Sequence, residues 1–113
     1  MKIASFYSDL AFNVERPEVA VLLETQFTKE IRIAMKRNQQ MKEYQTPFPI
    51  VLELVEGNVD FGSKGKVLNL VKGGLVALEG NIPHDLKAID DSILRLTLTK
   101  SDETNRVQNV VNC

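Results

Sequence analysis

The sequence contains no tryptophan, one histidine and one cysteine, and the cysteine is the last residue, Cys113. A single cysteine excludes an internal disulfide framework and any zinc motif built from cysteine pairs, and it favours a reducing compartment. No stretch approaches the ~20 apolar residues that a membrane-spanning helix needs. The first residues also lack the apolar run of a signal peptide. These absences predict a cytoplasmic protein without a membrane partner.

An excess of either charge sign is also missing, because 14 basic and 15 acidic residues give a net charge of −1. Proteins that bind nucleic acids usually carry a basic patch, often with aromatic side chains on which bases stack. Basic and aromatic residues are not interleaved in this chain. The composition therefore predicts no nucleic-acid partner.

The length of 113 residues leaves room for one domain, and 43% hydrophobic with 26% charged residues is typical of a globular protein. Glycine and proline recur at intervals of about ten residues, which is the turn spacing of an all-β sandwich or barrel. We expect a single domain over residues 1–113, with a core barrel at about 19–99, an N-terminal arm at 1–18 and a C-terminal helical tail at 101–113.

Alternation of apolar and polar residues predicts eight or nine short strands, as in a jelly roll. In residues 29–36 the alternation turns Ile33 inward, and in residues 92–99 it turns Leu96 inward and Ile93 outward. Further strands are predicted at residues 19–25, 49–56, 59–61, 66–70, 75–78 and 84–89, whereas residues 38–40 are interpreted as a loop. The tail is predicted to be a short helix, because its apolar residues have the spacing of one helix face: Val107, Val110 and Val111.

Two stretches match the spacing of a known family's motifs. A turn at Glu56-Gly57 closes the first stretch, and the second runs from Gly73 to His84 without a gap. On this spacing residues 41–98 resemble the small single-domain RmlC-like cupins, whose motifs are G-x5-H-x-H-x(3 or 4)-E-x6-G and G-x5-P-x-G-x2-H-x3-N. His84 stands at the histidine of the second motif. The two histidines and the glutamate of the first motif are replaced by Tyr44, Thr46 and Ile50.

The resemblance implies an all-β jelly-roll barrel, or double-stranded β-helix, with a central cavity and a degenerate metal site. A metal ion needs three or four converging donor atoms, and at these positions the chain offers His84 and Tyr44. No tightly bound cofactor is therefore predicted. If a divalent iron, zinc or manganese ion is bound, His84 and Tyr44 are the residues that would hold it.

A homodimer is also expected. Pairing of two copies is a habit of the family, and outward-facing apolar side chains seldom cover a sheet without a partner. The residues concerned are Val51, Val55 and Ile93. The predicted strand at residues 19–25 is a candidate for pairing across that interface.

The predicted ligand pocket lies inside the barrel, because alternation turns its residues to the same side as the apolar core. It consists of Ile33, Tyr44, Thr46, Ile50, Leu52, His84 and Leu96. Apolar walls with a few convergent polar groups are typical of small-molecule sites. The leading hypothesis is a small-molecule-binding protein of the cupin fold, without assigned catalytic residues. His84 alone fits a structural histidine equally well.

Two other functions stay open on the sequence. The first is a metal-dependent cupin enzyme, an oxygenase or isomerase that uses His84 and Tyr44. The second is a structural or regulatory dimer without a ligand. The sequence does not decide whether the protein is an enzyme, because no nucleophile and base pair emerges from its motifs.

Overall fold

The structure is a computed structural model that describes residues 1–44 and 46–100, and the side chains of all of these except Glu43 and Tyr44. The described residues form nine β-strands. These are β1 (Glu18–Glu24), β2 (Thr28–Met35), β3 (Gln40–Tyr44), β4 (Ile50–Glu56), β5 (Asn58–Ser63), β6 (Lys66–Val71), β7 (Leu75–Leu78), β8 (His84–Ala88) and β9 (Ser92–Thr99). Within this part of the chain, no helix is long and apolar enough to cross a membrane. The predicted C-terminal helix lies outside the described residues.

The strands form two antiparallel sheets that pack face to face, as the alternation predicted for a jelly roll. The large sheet has the order β1-β2-β9-β4-β7, and the small sheet has the order β3-β8-β5-β6. Strands distant in sequence are neighbours, because β9 lies between β2 and β4. The inner faces bury one apolar core: Ile31, Ile33, Met35, Ile50, Leu52, Leu54, Val59, Phe61, Leu70, Leu86, Ala88, Leu94 and Leu96.

Strand β3 was not predicted, since the sequence analysis treated the start of this region as a loop. It is an edge strand of five residues, and its register against β8 shifts between Met41 and Tyr44. Met41 packs against the core as a partly buried side chain. So short and polar a segment carries too little alternation to reveal a strand.

One end of the barrel, here called the mouth, is formed where β4 and β8 begin. The loops preceding these two strands meet there, because the Asn81 amide donates to the Thr46 carbonyl oxygen over 2.7 Å. On the large sheet, Ile50 pairs at this end with both Leu78 and Leu98. Gly80 allows the close approach of the loops, since a Cβ there would lie 2.8 Å from the Pro47 carbonyl carbon.

The opposite end is closed by Ser92, which is fully buried. Its hydroxyl accepts a hydrogen bond from the Asn58 amide at 3.0 Å and donates to the Asp90 carbonyl oxygen at 2.8 Å. These contacts satisfy a buried hydroxyl and join the start of β9 to the start of β5.

The N-terminal residues cover the outer face of the large sheet. The Arg32 guanidinium on this face donates to the carbonyl oxygens of Phe6 at 2.9 Å, Ser8 at 3.0 Å and Asp9 at 3.4 Å. Ile93 faces outward as predicted, but it is only 4% exposed, because it lies on the face that the N-terminal residues cross. Ile93 therefore does not contribute to an exposed apolar surface.

Candidate functional site

A cavity of about 310 Å³ opens at the mouth, between the β5–β6 hairpin and the start of β8. The hairpin turn consists of Lys64 and Gly65, whose φ angles of +52° and +76° are those of a two-residue turn that matches strand twist. The Ser63 hydroxyl donates to the Pro83 carbonyl oxygen over 3.0 Å. This bond fixes the hairpin against β8. The lining residues are Gly62, Ser63, Lys64, Gly65, Lys66, Val67, Pro83, His84 and Asp85.

His84 lies at the inner wall of this cavity and is 4% exposed. Its ring stacks on Phe61 with 5.5 Å between centroids, and its Nδ1 lies 3.3 Å from the Ile82 carbonyl oxygen. Burial lowers the pKa of His84, and the Ile82 carbonyl and the Asp85 charge oppose this effect without cancelling it. The imidazole is therefore neutral at pH 7.

Tyr44 lies beside His84, because the two residues are register partners on β3 and β8. The fold thus brings together the two polar residues that the sequence analysis placed at separate motif positions.

Thr46 lies in the loop that follows β3, and its hydroxyl donates to the Phe48 carbonyl oxygen over 2.7 Å. Its own carbonyl oxygen accepts the bond from Asn81 described above. The Thr46 hydroxyl therefore stabilises its own loop, and its carbonyl oxygen joins that loop to the one preceding β8. Sequence reasoning placed Thr46 in the pocket, and the structure gives it this role between the loops, outside the lining of the cavity at the β5–β6 hairpin.

The apolar residues of the predicted pocket form the packed floor below the mouth. Ile50 lies nearest the mouth. Leu52 and Leu96 are register partners one inward-facing position deeper, and Ile33 lies one such position deeper again. None is more than 3% exposed: Ile33, Ile50, Leu52 and Leu96. Ile50 also lines a second cavity, of about 240 Å³, between the ends of β4, β7 and β9.

Sequence reasoning missed the β5–β6 hairpin as a wall of the site. Ser63 and Lys66 are register partners, and Ser63 has the same parity along β5 as the buried Val59 and Phe61. Both therefore belong to the inner side of the small sheet, in the same row as His84. The signal was the short glycine turn at residues 62–65, which fixes the register once the segment is identified as a hairpin.

The side chains at the family's ligand positions do not fit its metal site. Ile50 has no donor atom, and the Thr46 hydroxyl is bonded to its own loop. Among the residues that the structure describes, no group of three or more His, Cys, Asp or Glu side chains is placed to hold a metal ion. We derive no chemical step through a metal.

Several solved structures are similar to this chain over most of its length. An RmlC-like cupin from Desulfovibrio desulfuricans superposes with a TM-score of 0.80 at 18% identity, covering 88% of this chain and 96% of that chain. An RmlC-like cupin from Shewanella frigidimarina gives a TM-score of 0.74 at 15% identity, with 90% and 96% covered. A cupin-2 domain protein from the same organism gives 0.73 at 10% identity, with 87% and 95% covered.

No protein-family model and no curated protein matches the sequence. Backbone likeness at such low identity establishes a fold without establishing an activity. Two antiparallel sheets, a single apolar core and this superposition agree with the motif spacing. The protein therefore has the jelly-roll fold of the small single-domain RmlC-like cupins.

Proposed function

We propose that this chain binds a small molecule at the mouth of its barrel. The observation that carries the proposal is the cavity of about 310 Å³ whose inner wall is the buried imidazole of His84. Small-molecule sites have volumes of about 300–1,000 Å³ and combine apolar walls with a few polar groups. The ligand binds at the mouth because the interior below it is filled by closely packed apolar side chains.

The chemistry of the lining also suits a ligand better than a purely structural gap. Pro83 and Val67 present apolar surface, while Ser63 and His84 are held in fixed positions by a hydrogen bond and by ring stacking. Fixed polar groups bind a ligand at a lower entropy cost than mobile ones.

Substitution at Val67 tests the proposal, because this residue lines the cavity yet is 68% exposed. Val67→Trp narrows the cavity from the face of the small sheet on which Val67 is register partner to Gly62, without disturbing the core. Val71→Trp is the matched control, since Val71 lies on the same face of the same strand, is 56% exposed and is outside the lining. The melting temperatures of the wild type and both variants are measured with fractionated metabolites added and a chelator present.

We expect one or more fractions to raise the melting temperature of the wild type and of Val71→Trp but not of Val67→Trp, because bound ligand stabilises the folded state. Equal stabilisation of both variants would show that the ligand binds elsewhere. No stabilisation by any fraction would contradict small-molecule binding and favour a structural or regulatory dimer.

A metal-dependent oxygenase or isomerase is the second candidate function. The register pairing of Tyr44 with His84 favours it, since two donor-bearing residues lie side by side at the mouth. Elemental analysis of the purified wild type, Tyr44→His and His84→Ala distinguishes the two functions. Near-stoichiometric iron, zinc or manganese that is lost in His84→Ala supports the enzyme, and metal far below stoichiometry in all three contradicts it.

The proposed protein partner is a second copy of the chain, in the cytoplasm. Strand β1 supports this proposal, because it is an edge strand on which Val19 and Val21 are 51% and 53% exposed. Exposed apolar edge strands tend to pair with another chain. The single cysteine, which favours a reducing compartment, supports the cytoplasmic location.

A further inference from the structure

The second cavity, of about 240 Å³, is an open groove on the outer face of the large sheet, here called the outer groove. Val51 on β4 is register partner to Ala77 on β7 and to Thr97 on β9. Three further lining residues lie one outward-facing position nearer the mouth: Pro49, Glu79 and Thr99. Val51 and Ala77 are both exposed, so apolar side chains are neighbours here instead of being scattered singly, as on an ordinary surface.

Another part of the same outer face is covered by the chain itself. Residues 6–9 lie over Arg32, whose guanidinium donates to three of their carbonyl oxygens. Ile93, on the part of the face that the N-terminal residues cross, is 4% exposed, whereas Val51 in the outer groove is 41% exposed. A terminal segment therefore covers one part of this face, and the described residues leave the outer groove open.

The chain leaves the large sheet beside this groove. Strand β9 ends at Thr99, which lines the groove and whose hydroxyl donates to the Pro49 carbonyl oxygen over 3.0 Å. The Lys100 amide donates to the Phe27 carbonyl oxygen over 3.0 Å, and residues 101–113 follow outside the described residues. Residues 101–107 can extend over about 25 Å, whereas three neighbouring strands span only about 10 Å. They are long enough to reach every part of the outer groove.

We propose that residues 101–113 of the same chain cover the outer groove. They contain three valines within a short stretch: Val107, Val110 and Val111. Contact of these valines with Val51 removes apolar surface from water on both sides. Charge also agrees, because Arg106 precedes the first valine and Glu79, which lines the groove, forms no ion pair within the described residues. This role is separate from ligand binding, because the cavity beside His84 is walled by the small sheet.

The single cysteine, Cys113, allows a test in the whole chain. A nitroxide spin label is attached to its thiol, and two-dimensional ¹H–¹⁵N NMR records how strongly the label broadens each backbone amide signal. The same sample after reduction of the nitroxide with ascorbate is the reference. We expect the amides of Val51 and Thr97 to broaden, because the label lies beside the outer groove. The amide of Ser92, at the opposite end of β9, should keep its intensity.

A change in the groove should release the segment. Val51→Lys should abolish the broadening at Thr97, because it places a charge in the apolar contact. Val71→Lys is the control, since Val71 is also exposed but lies on the small sheet, and it should leave the broadening unchanged.

A second pair of variants changes the segment and leaves the groove intact. Val107→Asp/Val110→Asp should abolish the broadening at the outer groove, because the valines supply the contact. Gln108→Asp/Asn109→Asp adds the same charge to the same stretch and should retain it. Loss of the broadening in both double variants would reduce the effect to charge and overturn the inference.

Two further results would also overturn it. Full intensity of the groove amides in the spin-labelled wild type, or broadening confined to the region of Phe27, would place the segment elsewhere. Isotope-labelled protein without a nitroxide is also mixed with spin-labelled protein of natural isotope content. Broadening of the groove amides in this mixture would assign the outer groove to the segment of a second copy.

Discussion

His84 is the one histidine of the sequence, and burial lowers the pKa of its imidazole below the ordinary value of 6.5. In the unfolded chain the imidazole takes up a proton near pH ~6.5, whereas in the folded chain it does so only at lower pH. Between these two values the unfolded state binds more protons than the folded state. The free energy of unfolding therefore falls as the pH drops below ~6.5.

We predict that the free energy of unfolding of the wild type declines between pH 6.5 and the folded pKa of His84, and that His84→Gln removes this decline. Urea unfolding at a series of pH values measures it. Glu30 contributes only at lower pH: burial raises its pKa, but bonds from Thr97, Thr28 and Arg95 outweigh burial and lower it. Parallel profiles for wild type and variant between pH 5 and 6.5 would contradict the prediction.

Gly57 and Gly73 share a positive φ, of +104° and +90°, but differ in the space around them. A Cβ at Gly57 would lie 2.6 Å from the Asp91 carbonyl oxygen and 2.7 Å from Ser92 Cα, whereas a Cβ at Gly73 would meet nothing within 4 Å. The first position therefore needs glycine for conformation and for space. The second needs it for conformation alone.

We predict that Gly73→Ala loses about 1–2 kcal/mol of unfolding free energy through backbone strain. Gly57→Ala should lose about 1–3 kcal/mol more, because a rigid backbone contact adds an overpacking cost. Chemical denaturation of the two variants measures the difference. Equal losses would mean that the turn before β5 moves freely away from β9.

At the scale of elements, the N-terminal residues depend on one buried cation. Arg32 is 4% exposed, and its guanidinium donates to three backbone carbonyl oxygens within residues 6–9. Its buried Nε has no hydrogen-bond partner in the described structure. A guanidinium can reach three carbonyls because its donors are spread over a rigid plane.

We predict that Arg32→Lys releases the N-terminal residues from the large sheet and lowers the free energy of unfolding by about 1–3 kcal/mol, because a lysine cannot replace all these bonds. Backbone amides in the strands of the large sheet, including that of Ile93, should exchange their hydrogen faster. Arg37→Lys is the control, since Arg37 is exposed. Unchanged exchange in Arg32→Lys would show that other contacts hold the segment.

Elements with strong alternation could be predicted from the sequence, and those that depend on distant partners could not. The predicted bounds of 75–78 and 92–99 coincide with β7 and β9. The short polar β3 and the covered state of Ile93 were missed, because each depends on chain far away in sequence. The site was predicted in part: His84 lines the cavity, but the contribution of Ser63 and Lys66 follows from hairpin register, which residue types alone do not reveal.

At the scale of the whole molecule, the two sheets differ in width. The large sheet has five strands and the small sheet four. Val19 and Val21 pair with the buried Ile33 and Ile31, so all four side chains point to the inner side. Both valines are nevertheless more than half exposed, because the small sheet does not extend over β1.

We predict that two copies associate through β1, which would cover these valines. Sedimentation equilibrium measures the mass in solution. Val21→Lys should raise the dimer dissociation constant at least about tenfold, because it places a charge in the apolar contact. Val71→Lys, a change at another exposed edge position, should leave it unchanged. A monomer at all concentrations would contradict the prediction.

The central place of β9 has a consequence for synthesis. Its partners β2 and β4 leave the ribosome before residues 92–99 do, and until then β2 can pair only with β1 and β4 only with β7, so one edge of each strand stays open. Their apolar inner faces and open edges are exposed for the whole of that interval, which is when chaperones and proteases recognise a nascent chain. A chain truncated before β9 lacks the strand that joins β2 to β4, so its large sheet cannot form.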